Sequence, residues 1–100
     1  MKHVRGAEAE KIVMSSQTFV LDVRTPGEFN LGSIPRAKLI PVDELQTRFD
    51  ELPSSKDAVI LVYCAHGVRS VYACTLLEQK GYKNVYNIDG GIVDYESARK

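Results

Sequence analysis

Within the seven residues Cys64-Ala65-His66-Gly67-Val68-Arg69-Ser70 the chain sets a thiol, a glycine, a guanidinium and a hydroxyl side by side. A cysteine attacks as its thiolate, and an unperturbed thiol titrates at about 8.5, so use of this one at neutral pH requires surroundings that favour the anion. The segment offers them. The apolar run that ends at Cys64 predicts a buried strand, and a helix is predicted to begin near Arg69, which puts the thiol beneath a helix N-terminus. There, unpaired backbone N–H groups and the positive end of the helix dipole favour negative charge, and Arg69 adds a cation. Gly67 permits the positive φ that folds a short loop into a cradle of inward N–H groups. A buried strand-end cysteine would explain any one of these features alone. Strand, Cys, Gly, Arg-Ser and helix in that order predict a nucleophile, with Ala65, His66, Gly67, Val68, Arg69 and Ser70 forming the binding loop around it.

Other groups are predicted to support that loop. Asp22, Arg24 and Glu28 follow a second strand-like run, where Arg24 and Glu28 can pair and Asp22 can accept loop N–H bonds. A direct substrate role for Arg24 is the sharper reading. Cys74 lies on the apolar stripe of the following helix and is most simply a small buried hydrophobe, against which stands a role as resolving thiol for Cys64. His66 adds positive potential when protonated, or is merely an exposed loop tip.

These groups need a frame to bring them together. Val59-Ile60-Leu61-Val62-Tyr63 is apolar on both alternating sets of positions, the pattern of a strand covered on both faces, and predicts the central strand of a parallel sheet. Phe19 to Val23, ending at Thr25-Pro26-Gly27 as a turn signal, and Val85 to Ile88 before Asp89-Gly90-Gly91 predict two more, and Ala37 to Ile40 a short fourth. Helices are predicted over Val71 to Lys80, stopped by Gly81, and more weakly over Arg5 to Met14 and Asp43 to Leu52. Alternation of strand and helix with short connections makes this an α/β chain, with a mostly parallel central sheet of four to five strands and helices on both faces. Parallel sheets place their sites at the carboxyl ends of the strands, so Cys64, Asp22-Val23-Arg24 and Asp89-Gly90-Gly91 should converge on one edge.

Length and charge narrow the function. One hundred residues allow one modest core, and residues 1–100 are taken as one domain. Thirteen basic and thirteen acidic residues leave no net charge, which argues against nucleic acid as a partner. The longest apolar run, Ala58 to Ala65, is eight residues against the roughly 20 of a membrane span, and no secretory h-region is visible. A cytoplasmic chain with two reduced thiols and no membrane partner is expected.

The motifs together resemble those of single-domain rhodanese-like sulfurtransferases. Leu21-Asp22-Val23-Arg24-Thr25-Pro26 with Glu28-Phe29, Gly32-Ser33-Ile34-Pro35 leading to Ile40-Pro41-Val42, the Tyr63-Cys64 loop through Ser70, and Gly81-Tyr82, Asn84-Val85-Tyr86 with Gly90-Gly91-Ile92 follow the family signatures in order. The resemblance implies a rhodanese-like domain in which Cys64 takes the outer sulfur of a donor such as thiosulfate, becomes a persulfide, and passes the sulfur to cyanide, a thiol or a sulfur-accepting protein. It implies no metal and no organic cofactor. Arg69 would hold the oxyanion part of the donor. Phosphatase relatives carry five residues between nucleophile and Arg, whereas this chain has four between Cys64 and Arg69. A thiol reductase and a non-catalytic or regulatory binding module also compete with this reading, and the intact Cys64 argues against the module. Ala65 stands where many relatives carry a basic residue, Ser33 where His is common, Arg36 where Gly is common, and Tyr95 at the usual Trp position.

Overall fold

The computed structural model of the protein describes residues 1–99. In chain order the elements are β1 (Lys2–Val4), α1 (Gly6–Met14), β2 (Phe19–Asp22), α2 (Pro26–Asn30), β3 (Lys38–Leu39), two 3₁₀ segments (Val42–Thr47 and Phe49–Glu51), β4 (Val59–Tyr63), α3 (Arg69–Gln79), β5 (Asn84–Ile88) and α4 (Gly91–Ala98). The five strands form one sheet in the order β1-β5-β4-β2-β3, and every pairing is parallel.

The double alternation of β4 explains why it is central. Ile60 and Val62 face a core completed by Leu45, Leu52, Ala73, Cys74 and Leu77, beneath α3 and the 3₁₀ segments. Leu61 and Tyr63 face the opposite core, completed by Ala9, Val13, Ile88, Ile92 and Tyr95 from the side of α1 and α4. Each fully buried aliphatic side chain contributes about 1.5–3 kcal/mol, so a strand apolar on both faces is stable only where both are covered. Among the described residues, no helix is long and apolar enough to cross a membrane.

Two local expectations are corrected, and one further helix joins the predicted elements. Asp43 to Leu52 is not an α-helix but part of the two 3₁₀ segments, broken at Arg48. Val42, Leu45, Phe49 and Leu52 fit a helical stripe, but the pairs Val42/Leu45 and Phe49/Leu52 are three apart, which also suits the tighter coil. Thr25-Pro26-Gly27 opens α2 rather than a turn. The Thr25 hydroxyl accepts from the Glu28 N–H while Glu28 bonds back to the Thr25 N–H, a complete capping box with Pro26 in the first turn. Gly90-Gly91 is the start of α4, which carries the buried Ile92 and Tyr95. Arg36 adopts φ 67°, a left-handed conformation that explains why glycine suits this position. Its guanidinium donates to the carbonyls of Val13 and Ser15, ties that offset the strain.

Candidate active site

Because all strands run the same way, the three predicted segments meet at one edge. Cys64 follows the middle strand directly; the Val23 N–H donates to the Tyr63 carbonyl at 3.1 Å, and the Ile92 N–H to the Cys64 carbonyl at 2.9 Å. Cys64 is 1% exposed. The loop turns at Gly67, whose φ of 91° brings its N–H to 3.1 Å from the Cys64 sulfur. A Cβ on Gly67 would come within 2.9 Å of the Gly90 nitrogen, and one on Gly91 within 2.3 Å of the Ala65 oxygen. The cradle is therefore backbone packed on backbone, with glycine required on both sides.

Burial pushes the Cys64 thiol up. The Ser70 hydroxyl and the backbone N–H groups of Ser70, His66 and Gly67 outweigh it, and the thiol is held below its ordinary value. N–H groups at the start of α3 thus act as the sequence suggests. Arg69 is tied to a carboxylate as well. Its two terminal nitrogens donate to the two carboxylate oxygens of Glu28 at 2.8 and 2.9 Å, so its charge is cancelled at close range. Those bonds, with the Thr25 N–H, hold Glu28 down at about 2, and the pair stays ionised across the neutral range.

The expected pairing of Arg24 with Glu28 is likewise replaced. Arg24 is buried against Asp22, its Nε at 3.0 Å from both carboxylate oxygens and its Nη2 at 2.7 Å from one, with a further bond to the Gly32 carbonyl. Asp22 also accepts the Arg24 backbone N–H at 2.9 Å. The guanidinium lies 5.4 Å from the Tyr63 ring centre, and the Tyr63 hydroxyl accepts from the Ile34 N–H at 3.1 Å. This pair braces the segment from Gly32 to Ile34. His66 and Val68 stand exposed on the loop, Ala65 and Gly67 are half-buried, and Ser70 is fully buried.

Sequence reasoning missed Asn87. It is fully buried on β5; its Oδ1 accepts from the Ser70 hydroxyl, and its Nδ2 donates to Asp89 at 3.0 Å. Asp89 also meets the His3 Nδ1 at 2.8 Å. Ser70 Oγ in turn accepts from the Cys64 thiol at 3.5 Å. A lone polar residue in the Val85 to Ile88 run was the available signal, since a buried amide requires partners. Cys74 is fully buried, and burial lifts it to about 12, the behaviour of an inert hydrophobe.

A cavity of about 200 Å³ opens among Arg24, Glu28, Leu31, Gly32, Ile92 and Glu96, linked to the loop through Glu28, which is bonded to Arg69, and Ile92, whose N–H bonds the Cys64 carbonyl. Among the described residues no cluster of three or more His, Cys, Asp or Glu side chains is placed to hold a metal ion.

Comparison with known proteins agrees with this geometry. The chain is 38% identical over 85 residues to a sulfurtransferase of Allochromatium vinosum, covering 85% of this chain and 78% of that one. A tRNA uridine(34) hydroxylase of Pelagibacter ubique is 35% identical over 98 residues, but the match spans only 31% of its length. The crystal structure of a rhodanese-like domain protein from Staphylococcus aureus superposes with a TM-score of 0.84 at 32% identity, covering 95% of this chain and 91% of that one. Residues 6–98 match the family described as the rhodanese-like domain. A thiol at the end of the middle strand, in a loop leading into a helix, thus sits in a fold shared over almost the whole chain, which belongs to the rhodanese-like domain family.

Proposed function

We propose that the protein is a sulfurtransferase that carries a sulfane sulfur as a persulfide on Cys64, taking it from a small donor and giving it to a thiol or to cyanide. The observation that carries this reading is the Cys64 sulfur, buried, bonded by the Gly67 N–H, and held below its ordinary titration value by the Ser70 hydroxyl and the loop N–H groups. In the first step the thiolate attacks the donor's outer sulfur; a new S–S bond forms, and the old bond's electron pair leaves with the donor remnant. In the second, cyanide attacks that outer sulfur, giving thiocyanate and restoring the Cys64 thiolate. The N–H groups that favour the thiolate equally favour the persulfide anion.

Similarity to the A. vinosum sulfurtransferase over most of both chains supports the reading. The hydroxylases share less than a third of their length with this chain, so their activity is not carried over. The test is mass spectrometry after incubation with thiosulfate and, in parallel, an alkyl persulfide. Addition of one sulfur atom, removed by cyanide or dithiothreitol and absent in Cys64→Ser, is expected; robust Cys64-dependent hydrolysis of an aryl phosphate without sulfur uptake would favour a phosphatase instead.

A further inference from the structure

Both guanidiniums at this site are paired with a carboxylate. Arg69 faces Glu28 in a two-point pair, and Arg24 faces Asp22, with a further bond from its Nη2 to the Gly32 carbonyl. Ala65, directly after the nucleophile, carries no charge. The cavity beside the cradle is apolar at Leu31 and Ile92 and acidic at Glu28 and Glu96, with Arg24 as its basic lining residue. A thiolate in such surroundings gains no net cation to offset the approach of a dianion.

We propose that Glu28 sets the charge selectivity of the site by cancelling Arg69, and that the donor it favours is an organic persulfide whose carbon end is uncharged or cationic, in place of dianionic thiosulfate. This rests on the sulfur-transfer reading and names the substrate class for it. The donor R–S–S–H is attacked at its outer sulfur by the Cys64 thiolate. The Sγ–S bond forms as the donor S–S bond breaks, the electron pair leaves on the inner sulfur as R–S⁻, and the terminal proton travels with the transferred sulfur. Cys64 is oxidised to the persulfide level and the donor's inner sulfur is reduced to a thiolate, so no further oxidant is required. In this reading the carbon end would occupy the neighbouring cavity, whose lining includes the apolar Leu31 and Ile92 and the acidic Glu96.

The experiment is a charge series on one chemistry. Persulfides of cysteamine, mercaptoethanol and mercaptopropionate are offered with thiosulfate to the full chain, and the rate of sulfur loading on Cys64 is divided by each donor's rate with a free alkyl thiolate. The normalised rates should fall at least tenfold from the cationic to the anionic persulfide, with thiosulfate lowest. Glu28→Gln, which keeps a capping side chain for α2, should raise the ratio of thiosulfate to mercaptoethanol persulfide about tenfold, and Glu96→Gln should remove part of the cysteamine advantage. A flat series in the natural chain, or an unchanged ratio in a folded Glu28→Gln variant, overturns the charge assignment while leaving sulfur transfer intact. Absence of loading by every donor overturns the sulfur-transfer reading, and this proposal with it.

Discussion

The two cysteines of this chain lie ten residues apart, both almost without exposure, and their environments drive them in opposite directions. Cys74, on α3, sits in the core with Ile60, Val62 and Leu77, where burial, helped by the Glu78 carboxylate, lifts the thiol to about 12. Cys64 suffers the same burial, but the hydroxyl of Ser70 and three backbone N–H groups reverse its effect. Burial therefore does not decide the thiol's state here; the hydroxyl and N–H groups directed at it do.

The strongest way to break this contrast is to remove each thiol in turn. Cys64→Ser should lower sulfur loading by a factor of about a thousand or more, since it removes the nucleophile, whereas Cys74→Ser should stay within roughly threefold. Equal losses would mean a paired-thiol mechanism. Next in size is Gly91→Ala. Its Cβ would strike the carbonyls of Cys64 and Ala65 from a backbone with φ 64°, so a destabilisation on the order of 3 kcal/mol is expected in urea unfolding, together with slower Cys64 alkylation. Unchanged stability would show that the edge is looser than its geometry.

The pH dependence of stability sharpens the contrast through its sign. Cys74 holds its proton more tightly when folded, so its contribution is intact below the ordinary thiol value and is lost as pH rises toward 12, by about 1.4 kcal/mol per unit. Cys64 has the opposite sign, with stability present above the ordinary value and lost as pH falls through its lowered one. Denaturant titrations between about pH 8 and pH 11 should thus be flatter in Cys74→Ala than in the natural chain, and a parallel pair of curves would contradict this. The smallest expected effect concerns the Ser70 proton. Asn87, bonded to Asp89, accepts the Ser70 proton, and once Cys64 has lost its own proton the thiolate must compete with the Asn87 oxygen for it. Ser70→Ala should slow Cys64 alkylation near neutral pH by roughly three- to tenfold, the scale of one hydrogen bond to a charged group. Asn87→Leu should speed it, and a slower rate in a folded Asn87→Leu variant would show that the amide helps the thiolate.

Much of this was legible in the sequence, for identifiable reasons. Strands β2, β4 and β5 announce themselves because parallel strands covered on both faces are dense in apolar residues, and Cys64 is found by its place at the end of the densest. Strand β1 is not legible, because Val4 is the only buried residue of its three. The start of α4 hides behind a glycine pair that equally signals a turn. Side-chain pairing was the least legible. Arg24 lies four residues from Glu28 in sequence, yet Glu28 is taken by Arg69, forty-one residues away, and Arg24 by Asp22. Charge and sequence spacing alone cannot choose among partners that only the fold brings together.

The glycine contacts around the cradle also bear on how this chain could change its chemistry over generations. A loop resting on a flexible side chain could absorb an inserted residue by pushing that side chain aside. Here Gly67 abuts the Gly90 backbone, and Gly91 abuts the Ala65 backbone, so an added residue meets main chain on its far side. Drift from a four-residue to a five-residue spacing before Arg69 would then require coordinated change in two segments more than twenty residues apart. Single insertions in the loop would mostly yield damaged sulfur-handling proteins instead of working phosphatases, a barrier that would keep the two chemistries in separate lineages of the fold.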